Sequence, residues 1–381
     1  MVYSASSGRA TVAAGDPMEY LKRQGLYAAL GLAALALFST LDYRALRRVG
    51  GPLLAVSLVL LAFVLAAGTP VNGARRWLPL GVFDFQPSEL AKLAVVLWLA
   101  GVLARRRAPA SLSELARPVG LVVLLVCALI LVEPDLGTAI AIVLMVAAML
   151  LVAGTPLRVL AGGGALLGAL ASVAIWLEPY RRERFLAFLD PWGDPHGVGF
   201  QSVQALIALG SGGLFGVGLG EGVTKVNYLP EAPTDMIFAV VGEELGLIGS
   251  LAVVSAFTAF GYAGFNIALR CRDPFGKRLA VGITALVCGQ ALVNLAAVLG
   301  LAPLTGIPLP FVSYGGSSLV VALTAVGILL NIALSDAASA GATGVPDRGR
   351  RNGGARDAVP RGRGRPHPAR RARDLRRRAA G

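Results

Sequence analysis

The chain has 381 residues, of which 55% are hydrophobic and 15% charged. Soluble domains average about 25% charged residues, so the composition excludes an ordinary soluble protein and indicates a membrane protein with several spans. The formal net charge is +13, but thirteen arginines against three aspartates fall within residues 347–381, and the remainder is close to neutral. Because no other region is strongly basic, nucleic acid is not an expected partner.

Cysteine, histidine and glycine patterns narrow the chemistry further. The three cysteines lie far apart in apolar surroundings, which indicates neither a disulfide framework nor a metal site. Two histidines are too few for a His-rich zinc site, and no Walker or Rossmann glycine motif is present. The acidic residues form no recognisable ligand set, so no metal ligand is predicted, and a role for a divalent cation such as Mg²⁺ stays open.

Apolar segments long enough to cross a bilayer, about 17–25 residues each, follow one another along most of the chain. The nine predicted spans are 24–41, 51–69, 87–104, 118–133, 136–153, 157–177, 235–265, 279–301 and 316–335. We therefore expect three regions: an outward N-terminal segment at 1–23, a transmembrane domain at 24–335, and a disordered arginine-rich tail at 336–381.

The orientation follows from Lys and Arg in the connectors. Basic residues crowd the connectors 42–50, 105–117 and 266–278, which marks the cytoplasmic side and places the C-terminus in the cytoplasm. The alternate loops then face outward, and they carry the unusual residues of the chain. These outward loops are 70–86, 178–234 and 302–315.

The first outward loop leads into a helix that opens on Gln86-Pro87-Ser88. Arg76 is a cation on the side that positive charge normally avoids. Glu89 and Lys92 lie at i and i+3 on one helix face just inside the membrane, either as an internal ion pair or as substrate-binding groups. Asp135 follows in a tight acidic turn, where it caps the next helix or joins the same site.

Residues 178–234 form a loop of a length that is uncommon unless functional or disordered. Its stretch Phe200–Leu209 predicts a short helix on, or dipping into, the bilayer surface. Arg181 and Lys225 are basic groups suited to an anionic lipid head group. His196, between proline and glycine, is interpreted as a turn residue.

The segment YLPEAPTDMIFAVVGEELG, residues 228–246, contains the most informative acids. We expect Thr234 to cap a helix that runs past Gly246 to about Phe265, with Asp235 in its first turn and ionised by the helix end. Glu243 and Glu244 would lie about 12 Å further in, where charged groups are usually functional or paired. Alternatively, Asp235 merely stabilises the start of the helix.

Two further features face the outward side. Gln290 and Asn294 share one face of the eighth span, and amides in lipid usually hydrogen-bond a neighbouring helix. The last outward loop has an irregular backbone, to which Ser313, Tyr314, Ser317 and Ser318 add hydroxyls. Such backbone is tolerated only where it is buried in protein or lines a wet cavity.

These acids, bases and hydroxyls converge by topology on the outward half of the membrane. The reaction class that fits is group transfer on an amphipathic lipid, in which cations hold a departing diphosphate. Asp235 is the best-placed general base for an attacking hydroxyl. A transporter is the rival class, because buried acids and broken helices also mark substrate paths.

The ordered motifs resemble the SEDS family of bacterial cell-wall polymerases, the FtsW and RodA proteins, over about residues 2–335. They are GARRWLPLG with FQPSELAKL, EPDLGTA, EPYRRER with FLDPWGDPHGVGFQ, YLPEAPTDMIFAVVGEELG, and PLPFVSYGGSSL. YLPEA favours the cell-division branch of the family over the elongation branch. The resemblance implies an all-α polytopic membrane protein, a SEDS-type helical bundle whose large outward loop contains short surface or re-entrant helices.

The resemblance also implies an activity, peptidoglycan glycosyltransfer on lipid II at the outer face of the bacterial cytoplasmic membrane. Asp235 matches the family's essential aspartate and would activate the acceptor hydroxyl. The expected partners are a class B penicillin-binding protein and other division proteins. The residues that fall in motifs around the family's central cavity, and are therefore expected to bind substrate, are Arg76, Glu89, Lys92, Asp135, Arg181 and Glu231.

Two departures from the family pattern stand out. Pro233 occupies the position where the family usually has histidine, which removes that histidine as a helper of the base. The family has ten spans against nine predicted here, and residues 1–6 look like the end of the family's first span, so we expect a start upstream of Met1.

Three other functions stay open from the sequence. A lipid II flippase would move the same substrate without bond chemistry. An elongation polymerase would perform the same chemistry in another pathway. A scaffold of the division complex would not need the carboxylate of Asp235 at all.

Overall fold

The computed structural model describes residues 2, 4–5, 19–71, 74–81, 83–225, 229 and 231–343. In chain order the described elements are α1 Glu19–Thr40, α2 Leu46–Ala67, β1 Thr69–Val71, β2 Ala74–Leu80, β3 Phe83–Phe85, α3 Pro87–Arg105, α4 Leu112–Leu115, α5 Leu121–Val132, α6 Leu136–Ala153, α7 Leu157–Leu177, α8 Pro179–Leu189, α9 Phe200–Ser211, α10 Ile237–Arg270, α11 Pro274–Val298 and α12 Gly316–Thr343.

Eight helical segments of the described chain are long and apolar enough to cross a membrane, judged by length and composition. They correspond to eight of the nine predicted spans, and the limits of α6 and α7 agree to the residue with the prediction. The ninth, α1, is a 22-residue helix whose first turns carry Glu19, Lys22 and Arg23, and it is not among the eight. The predicted α-helical polytopic membrane fold is confirmed.

The bundle is built around α3 and α11. Most of the apolar length of both helices is buried inside the protein, whereas α7 is almost entirely exposed and lies at the periphery. Small residues allow this packing: a methyl group on Gly282 of α11 would lie 2.7 Å from the Met149 sulfur and 2.8 Å from a Val96 methyl carbon. Such close approach through small residues is how helices associate without a hydrophobic driving force in lipid.

The first outward loop forms a small antiparallel sheet that the sequence did not predict. Strand β2 pairs with β1 on one side and with β3 on the other. Its residues include two arginines and a proline, so the loop lacks the alternating apolar pattern that marks a strand. The sheet joins α2 to α3 and positions Arg76.

Helix α10 is broken at Gly246, where φ is 65° and ψ is −159°. The glycine-rich loop 212–222 fills the break: Val217 and Gly218 donate backbone N–H groups to the carbonyls of Glu243 and Glu244 at 3.0 and 3.1 Å. On the other side, Leu247 donates to the Gly213 carbonyl at 2.9 Å. The loop therefore satisfies backbone groups that an interrupted helix would leave unpaired in lipid. The prediction of one continuous helix is wrong here.

The start of α10 also differs from the prediction. The N-cap is Met236, the helix begins at Ile237, and the Thr234 hydroxyl makes no cap. Thr234 instead bonds within the turn that precedes the helix. Asp235 consequently lies just before the helix and not in its first turn.

Two predicted regions fall largely outside the described residues. In the N-terminal segment 1–23 the structure describes residues 2, 4, 5 and 19–23. In the tail 336–381 it describes residues 336–343. The chain divides into one unit at Met1–Ser339 and another at Ala340–Gly381. The predicted three-region organisation stays a prediction.

Candidate active site

Two carboxylates meet at one hydroxyl in the turn 231–236. Thr234 Oγ1 donates to Glu231 Oε2 at 3.0 Å and lies 3.4 Å from Asp235 Oδ1. Backbone bonds from Thr234 and Met236 to the Glu231 carbonyl close the turn, with Glu231 at a φ of 54°. The turn holds both acids on one side of the start of α10.

The pKa of Asp235 is raised from its ordinary 3.8 to about 7. Burial, which penalises the charged form, is the main cause, and the neighbouring charge of Glu231 is the second. The Arg184 charge and the hydrogen bond with Thr234 oppose the shift. Burial therefore outweighs the stabilisation of the ionised form that was expected from the helix end, and a pKa near neutrality suits a general base.

The amides of α11 hold this turn in place. Asn294 Nδ2 donates to the backbone carbonyls of Asp235 and Ile307, each at 2.8 Å. One turn earlier, Gln290 Nε2 donates to the Pro308 carbonyl at 2.9 Å. The predicted hydrogen bonds are present, but they reach the last outward loop and the Asp235 turn as well as a helix.

Glu89 and Lys92 form the predicted ion pair. Lys92 Nζ lies 2.8 Å from Glu89 Oε1 and donates to Gln290 Oε1 at 2.7 Å, and both charged side chains are almost completely buried. Since Gln290 also binds the Pro308 carbonyl, this pair is connected to the loop beside Asp235. The structure thus favours a positioning role for the two residues.

The last outward loop lies directly against Asp235. A methyl group on Gly306, whose φ is +72°, would lie 3.8 Å from Asp235 Oδ2. Tyr314 N donates to the Pro233 carbonyl at 2.8 Å, and Ser313 Oγ accepts from Leu309 N at 2.8 Å. The Ser313 hydroxyl therefore stabilises the conformation of the loop through this hydrogen bond.

Arg76 and Asp135 organise the acidic turn between α5 and α6. Arg76 donates from Nε to the Glu133 carbonyl at 2.7 Å and from an Nη to the Pro134 carbonyl at 2.5 Å. Asp135 Oδ1 accepts from Thr138 N at 3.0 Å and caps α6. A methyl group on Gly137 would meet Ile307 at 2.5 Å, so this turn packs against the loop beside Asp235.

Glu133, which the sequence did not single out, is buried, and neither of its carboxyl oxygens has a hydrogen-bond partner among the described residues. Burial raises its pKa to about 8, the Asp135 charge adds to the shift, and the Arg76 charge opposes it. The raised pKa favours the neutral form, which lowers the cost of an unpaired buried charge.

Ser317 fastens the first outward loop to α12. Its Oγ donates to the Asp84 carbonyl at 2.8 Å and accepts from Gln86 N at 3.1 Å. The segments containing Arg76, Asp135, Asp235 and Ser317 are thus joined into one assembly, and its location on the outward side stays a prediction.

Lys225 is placed elsewhere, beside the break in α10. Its Nζ lies 2.6 Å from Glu244 Oε1 and also donates to the Gly220 carbonyl at 2.6 Å, and the pair is buried. Glu243 accepts from Val223 N and Thr224 N at 2.8 and 3.1 Å. The ammonium of Lys225 is engaged in holding the glycine-rich loop, so substrate binding by this residue stays a prediction.

A cavity of about 250 Å³ opens between the large outward loop and Leu304. Glu183, Arg184, Gln201 and Ser202 supply its polar lining. Leu304 in its wall lies two residues before Gly306, which approaches Asp235, and the Arg184 charge lowers the pKa of Asp235, so the cavity is near the carboxylate turn. The sequence analysis selected Arg181 and Lys225 from this loop and not Arg184, which lines the cavity together with Ala187 of the same helix.

Two predicted features of the site have limited structural description. The backbone of Arg181 lies in α8, but its side chain is outside the described part of the structure. Among the described residues, no group of three or more His, Cys, Asp and Glu side chains is placed to hold a metal ion. The carboxylate in the wall of the cavity is Glu183, and Glu231 and Asp235 form the carboxylate pair of the neighbouring turn.

The fold and site define a polytopic α-helical membrane protein with an acid–base centre at one end of its bundle. The family model described as "Cell cycle protein", which joins FtsW, RodA and SpoVE, matches residues 1–337. The chain therefore belongs to the FtsW/RodA/SpoVE family of cell cycle proteins.

Individual proteins of this family are similar to the chain over most of its length. The probable peptidoglycan glycosyltransferase FtsW of Geobacter metallireducens is 44% identical over 335 residues, 87% of this chain and 89% of that protein. The protein of the same name from Alkalilimnicola ehrlichii is 43% identical over 344 residues, 87% of this chain and 84% of that protein.

Solved structures show the same architecture. One is a chain from a study of "Structural coordination of polymerization and crosslinking by a peptidoglycan synthase complex", with a TM-score of 0.73 and 34% identity, covering 88% of this chain and 95% of that one. Another is the rod shape determining protein RodA of Thermus thermophilus, with a TM-score of 0.63 and 32% identity, covering 88% and 94%.

Proposed function

We propose that this protein is an FtsW-like peptidoglycan glycosyltransferase that polymerises lipid II into glycan strands at the outer face of the bacterial cytoplasmic membrane. Relatives named peptidoglycan glycosyltransferase, at 43–44% identity over most of the chain, support the enzyme class. The single observation that carries the chemistry is Asp235, a half-buried carboxylate of raised pKa beside a polar cavity.

In the proposed reaction, ionised Asp235 accepts the proton of the acceptor sugar hydroxyl. The hydroxyl oxygen attacks the anomeric carbon of the donor, and the bond from that carbon to the diphosphate breaks with inversion. Undecaprenyl diphosphate leaves with the bonding electron pair. Positive charge near the leaving group stabilises this step, and Arg184, in the cavity wall beside Asp235, is the described cation best placed to supply it.

The other charged residues of the site position the loops around Asp235 and do not contact the reacting atoms. Arg76 and Asp135 fix the acidic turn, and Lys92 with Glu89 fixes Gln290 and thereby the last outward loop. Their distances support positioning roles. Arg181 lies in the same helix as Arg184, so we retain it as a residue that binds the substrate.

The proposal includes a partner and an orientation. A structural relative belongs to a peptidoglycan synthase complex that couples polymerisation to crosslinking, which supports a class B penicillin-binding protein as the partner here. The arginine-rich connectors favour a cytoplasmic C-terminus and an outward-facing Asp235.

A polymerisation assay tests the function. Full-length protein would be reconstituted with its transpeptidase partner and given fluorescently labelled lipid II, and the products would be separated by length. We expect glycan strands from the native protein, and strand formation that is slower by about 10²- to 10⁴-fold from the Asp235→Asn variant. Asp190→Asn, an exposed acid of the same outward loop, serves as the matched control and should polymerise normally.

The same preparation separates the alternatives. Vesicles that translocate labelled lipid II but never lengthen it would contradict the polymerase and support a flippase. Normal strands from Asp235→Asn would contradict the assignment of the base. If Asp235→Asn supports cell division in place of the native gene, a scaffold role explains the protein better.

A further inference from the structure

A second polar cavity lies at the opposite end of α10 from Asp235. Its volume is about 360 Å³, within the range of about 300–1,000 Å³ that is usual for small-molecule sites. Helix α10 begins two residues after Asp235 and ends at Arg270, three residues before Asp273 in the cavity wall. The residues that line this cavity, here called the arginine cavity, are Arg44, Arg47, Arg48, Arg105, Asp273 and Phe275.

The side chains beneath the arginine cavity are closely packed. The rings of Tyr43 and Phe275 stack at a centroid distance of 6.4 Å, and Tyr43 N donates to Asn331 Oδ1 at 3.0 Å. The Arg44 guanidinium lies 5.6 Å from the centroid of the Tyr43 ring, within the range of cation–π contact. A methyl group on Gly276 would come within 2.8 Å of the Tyr43 ring, so there is no room for a larger side chain at this position.

The charge of the arginine cavity is unbalanced. Four guanidinium groups face one carboxylate, that of Asp273, whose Oδ2 already accepts from Gly276 N at 3.0 Å as the cap of α11. Among the described residues, no carboxylate forms an ion pair with Arg47, Arg48 or Arg105. The positive-inside rule explains arginines on this side of the membrane, but not their convergence on one concave site.

We propose that the arginine cavity binds a phosphate-bearing anion, with the head group of an anionic phospholipid as its occupant. Guanidinium groups bind phosphate oxygens in a bidentate fork. Arg44 is the second residue of the span-length segment Tyr43–Ala67, and Arg105 is the last residue of the segment Pro87–Arg105. Both therefore lie at the end of a segment, where lipid phosphates are expected. Basic pockets between helix ends on the cytoplasmic side are suited to such lipids.

The test compares two double variants of the full-length protein. Arg47→Gln/Arg48→Gln removes two cations of the cavity, whereas Arg106→Gln/Arg107→Gln removes two exposed cations that follow α3 outside it. Both retain the arginine-rich tail, so its contribution to lipid binding is equal. Native mass spectrometry of delipidated protein would measure binding of short-chain phosphatidylglycerol, phosphatidylcholine and inorganic phosphate, with thermal unfolding as the check on folding.

We expect phosphatidylglycerol to bind in preference to phosphatidylcholine, and its affinity to fall by about tenfold or more in Arg47→Gln/Arg48→Gln and by less than about twofold in the control pair. Equal losses in the two pairs, or no preference for the anionic lipid, would overturn the proposal. Inorganic phosphate that fully displaces the lipid would overturn the lipid as occupant and support a soluble phosphate compound.

Discussion

Two pairs of acids lie within fourteen residues of each other and have opposite surroundings. Glu243 and Glu244, inside α10, are met by fixed donors: backbone N–H groups at 223 and 224 and the ammonium of Lys225. Glu231 and Asp235, before α10, share one hydroxyl, and the pKa of Asp235 is raised to about 7 beside a cavity. Three of the four carboxylate oxygens of the first pair accept hydrogen bonds from described residues, and only Glu244 Oε2 has no partner among them. The second pair leaves a carboxylate able to exchange a proton.

This difference separates structural from chemical acids better than depth in the membrane does. By depth alone, Glu243 and Glu244 are the more unusual residues, since charged groups inside spans are rare and often functional. Their partners show that they hold the glycine-rich loop against the break at Gly246.

The largest effect is expected from Asp235→Asn. Loss of a general base should lower the polymerisation rate by about 10²- to 10⁴-fold. Stability should not fall: the raised pKa means that the folded protein binds more protons than the unfolded chain between about pH 4 and pH 7, so ionised Asp235 lowers stability as pH rises.

Rate and thermal unfolding, both measured at pH 8, check this split between chemistry and stability. The Asn variant should unfold at the same temperature as the native protein or a higher one. A variant that loses activity only because it unfolds at a lower temperature would contradict the assignment of Asp235 as a chemical group.

Lys225→Met should act mainly on stability. Removing the ammonium leaves Glu244 buried without its charged partner, and breaking a buried ion pair in this way costs about 3–5 kcal/mol. The double variant Lys225→Met/Glu244→Gln should recover part of that loss. Denaturation in detergent measures both. A raised KM for lipid II at unchanged stability would instead support Lys225 as a substrate-binding residue.

Gly246→Ala should disrupt the break in α10. The residue has a φ of 65°, and a methyl group there would lie 2.4 Å from Gly216 N in the loop that fills the break. We expect a loss of about 1–3 kcal/mol from backbone strain alone, with more from the clash. Gly210→Ala, in α9 with open space around it, is the control and should be neutral or slightly stabilising. Equal effects of the two substitutions would contradict the role of the loop.

Much of the fold could be predicted because apolar runs and helical spacing are local features of the sequence. Spans such as α6 and α7 are continuous apolar runs bounded by turn residues, and their limits agree with the structure. The predicted pairing of Glu89 with Lys92 is likewise a short-range matter of helix spacing. The sheet β1–β3 was missed because its stability depends on strand pairing and not on an apolar pattern.

The parts of the site that could not be predicted depend on distant partners. The break at Gly246 requires the loop around Gly216, and the sequence does not reveal that the two approach each other. Thr234 is a good helix cap by residue type, but Glu231 competes for its hydroxyl. Lys225 pairs with Glu244, which is nineteen residues away in the sequence. Because the sequence does not show this contact, Lys225 was predicted to bind substrate.

The smallest effect, and the most specific, is expected from Glu231→Gln. Because the charge of Glu231 raises the pKa of Asp235, the neutral amide should lower that pKa while it preserves an oxygen that accepts from Thr234. A base works only when ionised, so the rate of the native protein should fall as pH drops through about 7. In the variant this acid limb should move to lower pH. Glu221→Gln, an exposed acid of the same loop, should leave the limb unchanged, and full pH–rate profiles compare the three proteins. A profile that scales down without moving along the pH axis would mean that the two carboxylates are not coupled.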